Sequence, residues 1–312
     1  DSKRTISTFI SDNNDYDFIL FNSINCAYYY LKNHSIKNKV CSIIISHVAS
    51  DPVEQLLIDR PEIRGTRTEK KTYEIYEYVV KNVSKVISIC NMSYEYMLSK
   101  YGVVSTLITN GVEDVNYPIP MEGYDYSSND VLKFVCVASV TNRKGQDLIV
   151  KAVSNLPNKY KAKIQVNIVG VGNEYKLISE MINDFGMTNS IHMLGARSDV
   201  ADILKENDVF ILPSRADTVP VAILEALRAG MPIIATMVGE VPEMVGGAGL
   251  IIETNEDSVR KAIMYCVDNR EKLNEFSRFS REQYTKKYIV DKMLSSYSDT
   301  IIKVINKKCV VD

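Results

Sequence analysis

Asp217 and Glu225 stand eight positions apart in the run DVFILPSRADTVPVAILEALRAGMPIIATMVGEVPEMVGGAGLIIE, residues 208–253. Between them, Pro220 opens an apolar helical segment. A proline in a first turn sacrifices no helical hydrogen bond, so the amides of Val221 and Ala222 remain as donors at the positive end of the helix dipole. A diphosphate suits that place. Glu225, about one turn further on, can accept two hydroxyl hydrogen bonds from a cis-diol such as a ribose, at roughly 1.5–3 kcal/mol for each charge-assisted bond. Asp217 falls in the loop on the other side of the phosphate, where a sugar's hydroxyls would lie, with the amides near Thr218 and Val219 beside it. Taken singly, Asp217 reads as a loop cap and Glu225 as part of a solvated helix face. Their surroundings make the pair more specific.

A second group of residues fits an oxyanion. The apolar strand Leu132–Val137 runs straight into Ala138-Ser139-Val140-Thr141-Asn142-Arg143-Lys144-Gly145. In such a loop Lys144 supplies a point charge and Arg143 a fork; the plainer alternative is a solvated turn ending in a glycine cap. Gly170-Val171-Gly172 follows another apolar strand, where small residues let a backbone approach a ligand closely, although one GxG is weak evidence. His47 closes the apolar run VCSIIIS. A lone histidine at a strand end is ordinarily structural.

The elements that must position these residues alternate. Apolar runs of strand length at 16–21, 40–46, 85–89, 104–108, 132–137, 165–169, 191–194, 209–212 and 233–235 are separated by helical segments at 27–31, 72–82, 93–100, 174–185, 219–227, 258–267 and 271–287. Lys3–Ile10 reads as the end of a helix, and Val290–Lys303 as a final amphipathic one. Strand–helix alternation means an α/β class with parallel sheets, whose ligands sit at the carboxyl ends of strands. Residues 113–130 carry the prolines, glycine and serines of a linker, and the domain boundary is placed there, giving domains over 1–120 and 121–290 with a last helix over 291–312.

With 312 residues, 46% hydrophobic, 24% charged and a net charge of −2, the chain is long enough for two ordinary domains and lacks the basic balance of a nucleic-acid binder. Its six cysteines are scattered in apolar runs without a CxxC pair, which reads as reduced thiols in a cytoplasmic protein. No apolar run approaches a membrane span and no signal peptide opens the sequence. Arg60, Arg64, Arg67, Lys70 and Lys71 cluster, but Asp59, Glu62 and Glu69 among them suggest an ordinary solvated surface rather than a lipid-binding patch.

The combination of Pro213-Ser214, an acid separated by seven residues from Glu225-Ala226-Leu227, Ala229-Gly230-x-Pro232, Ala235-Thr236, Gly239 and Pro242-Glu243 resembles the E-x7-E region of retaining glycosyltransferases of family 4, which have the GT-B fold. Asp217 replaces the usual first Glu and keeps its charge. The resemblance implies two Rossmann-like domains facing a cleft, with the last helix crossing back to the first domain. YDFILFNS, SIIISHVASD, VSKVISICNMSYEYM and ITNGVED look like landmarks of the amino-terminal domain's second half. The family's opening strand and glycine-rich loop have no counterpart, a shortfall of roughly 60 residues for two βα units. That makes the first domain incomplete, and a fragment is expected rather than a shortened acceptor domain.

The same resemblance assigns roles. Lys144 takes the lysine position of the donor-phosphate loop, while Ser139 stands where the family has an arginine, so Arg143 is the compensating cation. Val221 and Ala222 amides share the diphosphate; Asp217, Thr218 and Val219 hold the sugar; Glu225 holds the ribose; Gly170 lies along the donor; Arg197 meets the base edge; His47 lies near the transferred sugar. The implied reaction moves a sugar from a nucleotide diphosphate donor, UDP- or GDP-linked, to an acceptor hydroxyl with retention. No metal or other cofactor is expected, since there is no DxD pair near the site and there are three histidines. Glycan or lipid-linked acceptors are implied, with peripheral contact to an inner membrane face as a further idea. The alternative is a catalytically weak, nucleotide-sugar-binding partner subunit.

Overall fold

The computed structural model describes residues 16–32, 40–47, 51, 53, 56, 57, 60–115, 119, 120, 124–127 and 130–308. The expected helix over Lys3–Ile10 lies outside them. The chain divides into two compact units, one of residues 1–110 with 291–312 and one of residues 111–290.

In the first unit, β1 (Phe18–Phe21), β2 (Cys41–Ser46), β3 (Lys85–Ser88) and β4 (Thr106–Leu107) form a parallel sheet in that order. All six residues of β2 are buried, the mark of a strand covered on both faces. Helices α1 (Ile24–Lys32), α2 (Arg67–Asn82) and α3 (Asn91–Tyr101) connect the strands. Tyr30, Leu31, Ile44, Val79, Val80 and Met97 make the core between them. Helix α2 starts five residues before the expected Thr72. Its first turn, Arg67 to Lys71, carries no apolar periodicity to reveal it, yet Arg, Glu and Lys are good helix formers.

In the second unit, six parallel strands run in the order β10-β9-β8-β5-β6-β7. They are β5 (Leu132–Val137), β6 (Ile164–Val169), β7 (Ile191–Gly195), β8 (Val209–Leu212), β9 (Ile233–Thr236) and β10 (Gly249–Ile252). Helices α4 (Gln146–Ser154), α5 (Asn158–Lys161), α6 (Tyr175–Asp184), α7 (Val200–Lys205), α8 (Val221–Arg228), α9 (Val241–Val245), α10 (Glu256–Asp268) and α11 (Arg270–Gln283) complete it. From β5 the chain builds outward through β6 and β7, then returns to the other side of β5 with β8. The strand order therefore reverses between β5 and β8, and ligands of such sheets bind outside the carboxyl ends at that switch point.

The boundary falls at Gly111, ahead of the 113–130 stretch read as a linker. That stretch belongs to the second unit because its backbone is satisfied there: Ser277 Oγ accepts from Tyr124 N–H at 3.0 Å, Asn274 Oδ1 accepts from Tyr126 N–H at 3.0 Å, and Arg281 forks onto Asp114 at 2.9 and 2.6 Å. Helix α11 gives way to a π-helical turn at Tyr284–Tyr288 instead of running on to Lys287. There Val112 N–H donates to Tyr288 O at 3.0 Å, and Val290 N–H donates to Val112 O at 3.2 Å, so the two strands of chain that link the units are bonded to each other. The last helix, α12 (Val290–Lys308), lies almost wholly in the first unit, where Cys41 Sγ is 3.8 Å from Val304 O.

Ser277 is fully buried; its hydroxyl also donates to Gly230 O at 2.6 Å. Ser277→Ala would strand the Gly230 carbonyl and the Tyr124 amide, and a lone buried polar group costs about 1–3 kcal/mol. We expect a loss of about 2 kcal/mol, read as a lower denaturant midpoint at unchanged slope.

Candidate functional site

The loops leaving β5 and β8 are laced together at the switch point. Arg215 N–H donates to Arg143 O at 2.7 Å, and Arg143 Nη1 donates to Ala216 O at 3.0 Å. Gly145 has φ +73, and a Cβ there would lie 2.1 Å from Pro213 O, so only glycine lets the loops approach this closely. Arg215 forks onto Asp147 at 2.7 and 2.8 Å and also donates to Asn142 O at 2.7 Å. Burial raises the Asp147 carboxyl, but hydrogen bonds from Arg215 and Lys151 outweigh it and leave its pKa below the ordinary carboxylate value. Asp147 is therefore a charged, structural anchor at neutral pH.

Within this lacing, Lys144 Nζ donates to Asp217 Oδ2, and Arg143 Nη1 lies 3.7 Å from Asp217 Oδ1. The Lys144 and Asp217 side chains are only 12% and 11% exposed. Asp217 Oδ1 also accepts from Thr218 N–H at 3.1 Å. The end of β9 and the loop after it hold the far side: Thr236 Oγ1 donates to Ser214 O at 2.6 Å and Glu240 N–H to Thr218 O at 3.0 Å. Thr218 and Val219 are buried by these contacts. Three buried polar atoms, Thr141 Oγ1, Gln146 Oε1 and Ser214 Oγ, have no hydrogen-bond partner among the described residues. Such atoms are uncommon in folded proteins, and these three lie in or next to the two laced loops.

Helix α8 begins where the second loop ends. Pro220 is its N-cap rather than its first residue, and Pro220 O accepts from Ile223 N–H at 3.0 Å. The amides of Val221 and Ala222 are therefore first-turn donors, with no side chain capping the helix. Val221 is 49% exposed. Glu225 follows one turn on and is half-buried; desolvation raises its pKa, with Arg228 opposing. It takes no side-chain hydrogen bond from a described residue.

The structure thus brings Arg143, Lys144, Asp217, Thr218 and Val219 together with the start of α8. Ser139 is exposed in the same loop, its carbonyl accepting from Gln146 Nε2 at 3.0 Å. Gly170 closes the loop after β6 onto the protein's own backbone. With φ +133, it presses on the neighbouring loop, and a Cβ would lie 1.9 Å from Ala138 O; close approach is to the protein's own backbone. Its amide donates to Gly195 O at 2.7 Å, tying together the loops after β6 and β7. Arg197 is forked onto Asp199 at the exposed end of β7, so its guanidinium is already engaged. His47 belongs to the first unit. It is exposed at the end of β2, 3.5 Å from Asn22 Oδ1, and desolvation draws its pKa below the usual imidazole value. Neutral imidazole is the main form at pH 7. Sequence reasoning missed the Arg215–Asp147 clamp, because nothing local marks a pair 68 residues apart.

Comparison with known proteins bears on the same part of the chain. The model for glycosyl transferases group 1 matches residues 127–283, a span that contains the whole six-stranded sheet and both laced loops. A glycosyltransferase of Methanocaldococcus jannaschii, itself uncharacterized, is 24% identical over 261 residues, covering 82% of this chain and 67% of that protein. The N,N'-diacetylbacillosaminyl-diphospho-undecaprenol alpha-1,3-N-acetylgalactosaminyltransferase of Campylobacter jejuni is 31% identical over 147 residues, 45% of this chain and 39% of that one. Other curated relatives are spanned to 37–43% of their length. Among solved structures, Anabaena HepE in complex with UDP superposes with a TM-score of 0.76 at 17% identity, over 97% of this chain and 82% of that one. The two parallel α/β sheets are those of the GT-B class. A match over half the chain, centred on the sheet whose switch point carries the cationic loop, the acidic loop and the helix start, makes this protein a member of the group 1 glycosyl transferases.

Proposed function

We propose that the chain transfers a sugar from a nucleotide diphosphate sugar to an acceptor hydroxyl with retention of anomeric configuration. The observation that carries this reading is the meeting of Lys144, Arg143 and Asp217 beside the first turn of α8 at the switch point. Breaking the bond from the anomeric carbon to the diphosphate leaves the electron pair on the departing oxygen. Stabilising that charge is the main demand on the site. Lys144, Arg143 and the amides of Val221 and Ala222 meet it without a metal ion. The acceptor oxygen bonds the anomeric carbon on the face the diphosphate leaves, and its proton passes to a departing phosphate oxygen. Asp217 and the Thr218 and Val219 amides hold the sugar, Glu225 the ribose, and the loop carrying Arg197 the base. His47 hydrogen-bonds a sugar hydroxyl or orients the acceptor.

The solved relative carrying UDP favours a uridine donor. The Campylobacter relative's diphospho-undecaprenol acceptor favours a lipid-linked one here and, with it, peripheral contact with a membrane surface. Among the described residues no helix is long and apolar enough to cross a membrane. A catalytically weak donor-binding subunit is the second reading, favoured by exposed Ser139 in the phosphate loop and by Asp217 occupying Lys144.

Calorimetric titration with UDP, GDP and ADP, each with EDTA, should show micromolar binding of one nucleotide, weakened about tenfold or more in Lys144→Gln. No binding by any of them sinks the reading; binding without sugar transfer selects the second. Glu225→Gln should raise the donor KM about tenfold, the loss of one charge-assisted bond. The same variant should raise Tm at pH 7. A carboxyl whose folded pKa lies above its unfolded value is stabilising when protonated, and that contribution is lost as pH rises through the folded value, so the ionised group is a net cost at neutral pH. An unchanged KM with a higher Tm would return Glu225 to an ordinary half-buried acid. His47→Ala should lower kcat more than it changes the donor KM; a silent variant makes His47 structural.

A further inference from the structure

The first unit contains a groove of about 760 Å³ between α1 and α2. Along α2, Arg67, Lys71, Glu74 and Tyr78 follow helical spacing and so share one stripe of its surface. Opposite them, Lys32 closes α1 with its ammonium 4.1 Å from the Tyr78 ring centroid and 5.6 Å from that of Tyr28. Lys70 lies on the same rim.

The acids nearby are turned elsewhere. Glu62 pairs with Arg60 at 3.1 Å, Glu69 accepts from Gly65 N–H, and Glu77 pairs with Lys81 at 2.6 Å. Lys32, Arg67, Lys70 and Lys71 have no ion-pair partner among the described residues, and Glu74 is the one acid lining the groove. Mixed charge in the sequence thus resolves, in three dimensions, into a concave cationic surface floored by two aromatic rings. A flat solvated face would intersperse its signs. The volume falls in the range of small-molecule sites, about 300–1,000 Å³.

We propose that this groove binds a phosphate-bearing ligand, with the phosphate on Lys32, Arg67 and Lys71 and the body of the ligand against the faces of Tyr28 and Tyr78. Arg and Lys recognise phosphate oxygens through charge-assisted bonds. Tyrosine faces pack against sugar or acyl C–H groups. The site is separate from the donor loops of the second unit and does not depend on their assignment. Its phosphate has two possible sources, a soluble phosphate ester or a lipid headgroup.

The test uses the full chain, with Lys32→Gln/Arg67→Gln/Lys71→Gln as the groove variant. Lys176→Gln/Lys261→Gln/Lys272→Gln, at exposed positions, is the charge control. Pyrophosphate is titrated calorimetrically, and sedimentation is measured with phosphatidylcholine vesicles with and without phosphatidic acid. All variants are also made in a Lys144→Gln background, which weakens the donor-loop contribution. A soluble ligand is indicated if pyrophosphate binds in that background and is weakened about tenfold or more by the groove variant alone. A lipid source is indicated if sedimentation needs phosphatidic acid, falls about tenfold in the groove variant, and survives in the control. Glu74→Gln should tighten whichever binding is seen, a gain that misfolding does not produce. Binding equal in groove and control variants, or absent with both probes, overturns the proposal.

Discussion

Everything at the candidate site depends on two backbone segments being held closer than side chains would allow. Gly145 lies against Pro213 O, and Arg215 N–H bonds Arg143 O. That contact forces the cationic residues at the end of β5 onto the acidic loop at the end of β8. The Arg215 fork on Asp147 then makes the contact durable, because removing either member would leave a partly buried charge alone, at a cost of about 3–5 kcal/mol. The sheet order supplies the place, since ligands of such sheets bind outside the carboxyl ends where the order reverses. Thr236 and Glu240 brace the acidic loop on one side, and Gly170 packs on Ala138 at the start of the cationic loop on the other.

A consequence is that Lys144 and Asp217 neutralise each other in the free protein. A diphosphate entering here competes with a carboxylate for the same ammonium. The exchange is less costly than it looks: at Oδ1, the oxygen Lys144 does not hold, Asp217 keeps its bond from Thr218 N–H and has Arg143 within ion-pair range. A sugar's hydroxyls could then take the oxygen that Lys144 releases. On the proposed reading, the Lys144–Asp217 pair keeps two charges satisfied by each other until a ligand replaces each partner.

Much of this was legible in the sequence, and the gaps have physical causes. Strands β5 and β8 matched their apolar runs to the residue: β8 is buried along its whole length and continuously apolar, and in β5 Lys133 alone is exposed among apolar residues. Helix α9 and strand β10 were missed, because five-residue and glycine-rich segments carry no period. Lys144 and Asp217 were each visible as candidates, but not their mutual bond, since 73 residues separate them and pairing across that distance is a property of the sheet order. At Gly170 the sequence signals a close approach, and the structure adds one neighbour, the Ala138 carbonyl, that no local pattern names.

The two units also differ in how their charge is organised, and the difference follows from their construction. In the second unit, cations at the switch point find acids across the sheet: Lys144 meets Asp217, and Arg215 meets Asp147. The loops that carry them come from neighbouring strands, which puts opposite charges within reach. Along α2, Arg67 and Lys71 share one helix stripe, and across the groove stands α1, whose last residue is Lys32. No described strand-end loop lines that groove, so Glu74 is left to balance four cations alone. Four cations facing one described acid repel one another, and on the proposed reading a bound anion relieves that repulsion.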